Sequence, residues 1–122
     1  MAESRIPLRQ SLSAPVPANG QARVTLQPLR AFEVWEITRM TVTNTSTVLV
    51  PTCRVYRGSV TPSAIVDGTF TGTMDTSAVS MRLENGEMLI AVWEGTAVGT
   101  PGADVGSVCT FTLEGESVRS GV

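Results

Sequence analysis

The sequence contains no histidine, and all nine of its basic residues are arginine, so it has no lysine either. Without histidine the chain lacks the commonest general base, the side chain that titrates near neutral pH and the commonest metal ligand. Serine and threonine are abundant, but no histidine is present to activate them as nucleophiles. The sequence therefore predicts a protein that is not an enzyme and that uses no cofactor.

The chain has only two cysteines, Cys53 and Cys109, and both lie within apolar strand patterns. We interpret them as buried thiols, with a disulfide or a reactive thiol as the alternative. Two cysteines do not supply the roughly four ligands that zinc needs. Asp67 and Asp75 offer oxygen ligands, but their spacing matches no EF-hand loop, which favours ordinary turn aspartates over a calcium site.

Long apolar runs and excess positive charge are also missing. No run approaches the roughly 20 residues that span a membrane, and the N-terminal residues Met-Ala-Glu-Ser-Arg-Ile-Pro lack the apolar stretch of a signal peptide. The formal net charge of −2 provides no electropositive footprint for phosphates. We therefore expect a protein that is made in a cytoplasm and binds neither membrane nor nucleic acid.

Aromatic residues make up only 5% of the 122 residues, whereas hydrophobic residues make up 42%. One domain of this length can bury a core, and this core must be mostly aliphatic. Apolar residues alternate with period two in several segments, which indicates half-buried strands. Two of these segments are Ala22-Val24-Leu26 and Cys109-Phe111-Leu113.

Seven or eight short strands with frequent turn signals predict an all-β fold, a β-sandwich. A jelly-roll arrangement is favoured because the strands are unequal and the connections after Gly58 and Gly95 are long. Asn85-Gly86 between two apolar runs predicts a hairpin with a type I′ turn. Val48-Leu49-Val50 before Pro51 predicts an edge strand or a strand junction.

In the longest strand signal, from Phe32 to Thr43, the apolar residues switch between even-numbered and odd-numbered positions, which we call a change of parity. Phe32, Val34, Met40 and Val42 occupy even-numbered positions, while Trp35 and Ile37 occupy odd-numbered ones. A change of parity predicts a β-bulge or a strand that crosses from one sheet to another.

We divide the chain into an extended N-terminal arm (residues 1–20), a sandwich domain (21–118) and a polar tail (119–122). Prolines in the arm block a helix and favour extended structure. Ile6 and Leu8 alternate and would suit a short edge strand, either in a floppy terminus or in an arm that docks on a neighbouring subunit. On this division, deleting residues 1–18 is expected to leave the domain folded.

Two groups of side chains are candidates for binding. Arg54 and Arg57 frame Tyr56, and arginine and tyrosine are favoured interface anchors, although a solvated face would carry the same pattern. With Ile6 and Leu8 they form our candidate interface. Trp35 and Trp93, together with Tyr56, would form a sugar-binding platform if exposed, and core packing is the alternative.

Three segments, FEVWEITRMTV (32–42), CRVYRGS (53–59) and LENGEMLIAVWEG (83–95), occur here in a familiar order, with Asp67-Gly68-Thr69 between the last two. In this order they resemble small β-sandwich virion structural proteins of actinobacterial tailed phages. The resemblance spans about residues 20–118, and Trp93-Glu94-Gly95 departs from the more usual Trp-Thr-Gly. These motifs are turns and core aromatics, so no catalytic residue is implied.

The resemblance implies a component of the virion that binds other virion proteins, most directly a capsid decoration protein on the major capsid protein. It also implies a homo-oligomer, because many copies, each with a modest interface, would together stabilise a closed lattice. Two alternatives stay open: a tail-associated protein of the tube, tip or fibre, and a carbohydrate-binding sandwich that uses the aromatic residues.

Overall fold

The computed structural model describes residues 3–28, 32–71, 74–95 and 100–120. In these ranges the chain forms eight strands and one 3₁₀ turn, Pro62–Ala64. The strands are β1 (Glu3–Pro15), β2 (Ala22–Leu26), β3 (Glu33–Asn44), β4 (Thr52–Arg57), β5 (Ile65–Thr71), β6 (Met74–Glu84), β7 (Leu89–Glu94) and β8 (Val108–Ser120).

The strands form two antiparallel sheets of four, in the orders β1-β8-β3-β6 and β2-β7-β4-β5. The pairs β1·β8, β2·β7, β3·β6 and β4·β5 are nested about the middle of the chain, as in one long hairpin that has been rolled up. This is the strand order of a jelly roll. The prediction of an all-β sandwich is confirmed.

The core lies between the two sheets and is mostly aliphatic, as the composition requires. The largest fully buried side chains on its inner faces are Trp93, Phe111, Ile37, Met40, Leu83, Leu89 and Leu113. Cys53 and Cys109 belong to the same cluster as free, buried thiols, which confirms the interpretation of both as buried. Burial raises the pKa of the Cys109 thiol to about 11 and that of Cys53 well above its ordinary value.

The parity change in β3 is a bulge, because the register to both neighbouring strands shifts between Ile37 and Arg39 while β3 stays within the first sheet. Ile37 and Met40 consequently both point into the core. Gly115 pairs with Ile37 at the bulge, and a Cβ at this position would collide with the carbonyl oxygen of Glu36. The close approach of β8 to β3 therefore requires glycine there.

The hairpin predicted at Asn85-Gly86 does not form. The chain does turn there, with the Glu87 amide donating to the Glu84 carbonyl at 3.0 Å, but of the two central residues only Gly86 has a positive φ. The flanking strands lie in different sheets, since β6 pairs with β3 and β7 pairs with β2 and β4. The turn crosses between the layers because the nested pairing gives β6 and β7 partners that are more distant in the chain.

Residues 3–15, which the sequence analysis assigned to the arm, form an edge strand of the first sheet. All thirteen residues of β1 pair with β8, from Glu3 opposite Ser120 to Pro15 opposite Val108. Leu8 and Val16 are buried in the core. The pairing also carries β8 to Ser120, beyond the start of the predicted polar tail. Extended, proline-containing sequence fits here because an edge strand tolerates missing amide donors.

The pairing reverses the expectation for a truncated chain. Deletion of residues 1–15 should abolish cooperative folding, because it strips one side of β8 of its hydrogen-bond partners and opens the core at Leu8. Circular dichroism during heating and size-exclusion chromatography would measure this. Ile6→Ser, at an exposed position of the same strand, is the control and should change stability by at most about 0.5 kcal/mol. A truncated chain with the unfolding temperature of the full chain would contradict the pairing.

Candidate interaction surface

One end of the sandwich carries the connections 16–21 and 45–51 and the described residues of the connection from β7 to β8 (95 and 100–107), and we call it the apical end. It is defined by register, since Asn44 at the end of β3 pairs with Cys109 and Pro15 pairs with Val108 at the start of β8. Exposed apolar side chains gather there, with Val48 82% and Val50 70% exposed. We call this set the apolar tip: Val48, Leu49, Val50, Met74, Val105 and Val108.

The carboxylate of Asp104 holds the loop that carries most of the apolar tip. Its Oδ2 accepts the backbone amides of Thr47 at 2.8 Å and Val48 at 2.9 Å, and its Oδ1 accepts that of Leu49 at 2.9 Å. These three donors, that of Val48 above all, lower the pKa of Asp104 below its ordinary value. The carboxylate is therefore ionised at neutral pH and accepts three backbone amides of the loop.

A second set of hydrogen bonds locks the two apical loops together. The hydroxyl of Ser46, which is buried, accepts the Asp104 amide at 3.0 Å and lies 3.0 Å from the Ser107 hydroxyl. Thr45 Oγ1 accepts the Val108 amide at 2.8 Å, and the Thr45 amide donates to the Val108 carbonyl at 3.0 Å. The loops therefore present the apolar tip on an ordered backbone, which reduces the entropy lost on docking.

The apical connections themselves carry little charge. In the described parts of the three apical connections, Asp104 is the one charged residue, and its carboxylate already has three amide donors. An exposed, uncharged apolar set suits the apolar surface of another protein. It does not suit a polyanion, which needs arginine or lysine to bind phosphates.

Tyr56 is not the surface anchor that the sequence suggested, because it is only 1% exposed. It lies in a small cluster with Ile90 and Val92, against which Val60 and Met88 pack. This cluster covers the outer face of the second sheet, opposite the core side chains of the same strands. Burial raises the pKa of the Tyr56 phenol.

The two arginines that frame Tyr56 are engaged within the chain. Arg54 Nη1 lies 2.7 Å from Glu94 Oε1 and donates to the Gly95 carbonyl at 3.3 Å, and both charged side chains are largely buried. Arg57 Nη2 donates to Glu87 Oε2 and to the carbonyl of Arg82, each at 2.8 Å. These contacts tie neighbouring elements together, so neither guanidinium is a free anchor for a partner.

Ile6 and Leu8, the other members of the predicted interface, have different environments. Leu8 is buried in the core, whereas Ile6 is 43% exposed near the end of the sandwich opposite the apolar tip. The five residues of the predicted interface are therefore not brought together on one accessible surface.

A sugar-binding platform of the predicted kind is also ruled out, because Trp35 and Trp93 are 4% and 1% exposed and Tyr56 is buried as well. The side chain of Asp67 lies outside the described residues. Among the described residues, no group of three or more histidine, cysteine, aspartate or glutamate side chains is placed to hold a metal ion. No helix in the described part of the chain is long and apolar enough to cross a membrane.

Comparison with known proteins found no matching family model and no matching curated protein. Structural neighbours include viral coat proteins. The coat protein of Tobacco streak virus has 11% identity over 95% of this chain and 86% of the other, with a TM-score of 0.47. A Turnip yellow mosaic virus structure has 13% identity over 98% and 96%, with a TM-score of 0.42.

A third neighbour belongs to another class of protein. Aeromonas hydrophila PliG, a periplasmic inhibitor of g-type lysozyme, has 18% identity over 89% of this chain and 85% of its own, with a TM-score of 0.39. Similarities at this level do not bear on function, and the resemblance to actinobacterial phage proteins stays a prediction.

The apolar tip was missed in the sequence because Val48-Leu49-Val50 has the composition of a strand. The structure has bends at residues 47–49, and β4 begins only at Thr52. One local signal was present: three apolar residues in succession between a Thr/Ser turn and Pro51 have no period-two alternation. The role of Asp104 had no local signal, since its partners lie 55 to 57 residues earlier in the chain.

Replacing the loop-holding carboxylate should loosen the apolar tip without unfolding the sandwich. In Asp104→Asn we expect faster hydrogen exchange at the Thr47, Val48 and Leu49 amides, because an amide side chain has one acceptor oxygen instead of two. The Gly20 amide, which donates to the Pro17 carbonyl, is the internal reference. Unchanged exchange at all three amides would contradict the role of Asp104.

The same contacts predict a pH dependence. The folded pKa of Asp104 is lowered, so its stabilising contribution is complete above the ordinary pKa of 3.8 and is lost as the pH falls through the lowered value. The wild-type protein and Asp104→Asn should therefore differ in loop exchange at neutral pH and converge in strong acid.

Proposed function

We propose that this chain is a non-enzymatic structural protein of a tailed-phage particle, which decorates the outside of the capsid as a homo-oligomer and attaches through the apolar tip. The observation that carries the proposal is the tip itself, an uncharged apolar surface on loops that Asp104, Ser46 and Thr45 hold in place. Its partner is the major capsid protein or another virion protein. The phage assignment rests on the sequence resemblance.

Rigid presentation of small apolar side chains favours a protein partner over a lipid one. Membrane-binding loops and helices combine apolar side chains with basic residues that meet anionic headgroups, and the described residues of the apical connections include no arginine. Valine and leucine on an ordered loop lose little rotamer freedom on docking. A modest interface of this kind becomes effective when many copies bind one closed lattice.

Placement on the head rather than the tail is the finer part of the proposal. A decoration protein follows the symmetry of the lattice and is present in hundreds of copies, whereas most tail components are present in a few to a few dozen. Copy number in purified particles therefore separates the two placements, and the density of the chain in electron cryomicroscopy locates it directly.

The tip is tested by binding purified protein to particles that lack it. Val48→Asp and Val50→Asp should each weaken binding about tenfold or more, because each would bury a charge in an apolar contact. Binding is measured by cosedimentation, with copy number from quantitative gel analysis. Both positions are highly exposed, so the variants should unfold at the wild-type temperature.

Phe32→Asp is the matched control, since Phe32 is 64% exposed and lies at the opposite end of the sandwich. It makes the same kind of apolar-to-charged change away from the tip and should bind particles like the wild type. Equal losses for Phe32→Asp and Val48→Asp would overturn attachment through the tip. Absence of the chain from purified particles would overturn the virion assignment itself.

A further inference from the structure

Strand β6 leaves one side of the first sheet unpaired. It runs for 11 residues at the end of the order β1-β8-β3-β6, with β3 as its neighbour on one side and no strand on the other among the described residues. Its inward-facing residues Asp75, Ser77, Val79 and Met81 are only half-buried, whereas those of β3 are buried. The sandwich is therefore incompletely covered along this edge.

Two open cavities flank the same stretch of β6. One, of about 660 Å³, is lined by Ser80, Met81 and Arg82 together with Arg57, Val66, Glu84 and Glu87. The other, of about 380 Å³, shares Ser80, Met81 and Arg82 and is completed by Glu36, Ile37, Thr38 and Glu116. The second cavity is completed by residues of β3 and β8, on the paired side of β6, whereas the first reaches Arg57 and Val66 of the second sheet. An added strand along the unpaired side of β6 would cover the half-buried apolar side chains.

The opposite edge of the sheet carries prolines and a cross-sheet ion pair that oppose such pairing, and β6 has neither, although its register with β3 shifts at Val79 and Ser80. Strand β1 contains Pro7 and Pro15, which cannot donate backbone hydrogen bonds, and Arg5, which reaches across the sheet to Glu36 at 3.0 Å. Prolines and charges are common means of blocking edge strands. In β6 there is no proline, and residues 76–81 carry no charge. Such an edge is a template for strand addition.

We propose that a second copy of this chain occupies the edge, with the two β6 strands paired antiparallel about a two-fold axis at Ser80. A two-fold axis perpendicular to the sheet keeps outward residues opposite outward residues, so the axis must pass through one residue of the alternation. This contact depends on the proposed function in one respect only, that the chain forms a homo-oligomer. The contact specifies which strands of the two copies meet.

Complementarity favours this register over the one with Val79 at the axis. With Ser80 at the axis, Val79 of one copy lies opposite Met81 of the other on the inner face, and this apolar pair occurs twice. On the outer face Ala78 lies opposite Arg82 of the second copy, and Thr76 opposite its Glu84. No like charges oppose each other. With Val79 at the axis instead, the buried Leu83 would oppose the carboxylate of Asp75, which is unfavourable.

Charge placed at position 78 tests the contact and its register together. Ala78→Glu would face Arg82 of the second copy twice, and we expect the dimer dissociation constant to fall about threefold to tenfold. Ala78→Arg should raise the constant by a similar factor through like-charge repulsion, and Arg82→Glu combined with Ala78→Arg should restore it. Sedimentation equilibrium over a concentration series measures each constant.

Two controls separate this contact from other effects. Ser13→Glu makes the same addition of charge on the exposed face of β1, at the other edge of the sheet, and should leave the dissociation constant unchanged. Since Ala78 also lies opposite Arg39 of its own chain, the unfolding temperature is recorded for each variant and only the dissociation constant tests the contact.

The proposal would be overturned by a chain that is monomeric at every concentration. It would also be overturned by a dimer whose dissociation constant is the same with either charge at position 78 as in the wild type. A monomer that still binds particles would overturn this contact and the homo-oligomer, while leaving attachment to the particle through the apolar tip intact. A dimer that responds as expected but is absent from particles would support the contact and overturn the proposed function.

Discussion

The pairing of β8 on both of its sides is the constraint on which the first sheet depends. Its backbone is bonded to β1 along one edge and to β3 along the other, and its inner face places Cys109, Phe111 and Leu113 in the core. Because β1 and β8 stand at opposite ends of the described chain, this sheet closes only when almost the whole sequence is in place. The nested order of the other pairs follows from the same closure.

The jelly-roll topology also determines where the exposed loops of the sandwich lie. Connections that cross between the sheets gather at the two ends, and their backbone amides must find partners outside the strand ladders. At the apical end Asp104, Ser46 and Thr45 meet that need. The hydrogen bonds that satisfy the backbone amides of the loop also hold Val48, Leu49 and Val50 outward. The exposed apolar surface is therefore a consequence of these hydrogen bonds.

The predicted interface around Tyr56 failed for a related reason. Alternation along β4 correctly places Arg54 and Tyr56 on the face opposite Cys53 and Val55, but alternation cannot say whether that face meets water. Val60 and Met88 cover Tyr56, and the Arg54–Glu94 pair lies beside the cluster. A second, smaller apolar cluster thus exists outside the sandwich, and no local pattern distinguishes it from a solvated or docking face.

The sequence by itself determined the properties that depend on neighbouring residues. Period-two alternation predicted strands such as β2 and β8, and the change of parity predicted either a bulge or a sheet crossing, of which the bulge at Ile37 and Arg39 is the one that forms. Low aromatic content predicted an aliphatic core, and the apolar patterns around Cys53 and Cys109 predicted that both thiols are buried. Tertiary structure alone decided which strands pair, that residues 3–15 complete a sheet, and that Asn85-Gly86 joins two layers. It also decided which apolar residues stay exposed at the apical end. The physical reason is distance along the chain: alternation reports which side of a strand a residue occupies, whereas burial of that side depends on segments tens of residues away.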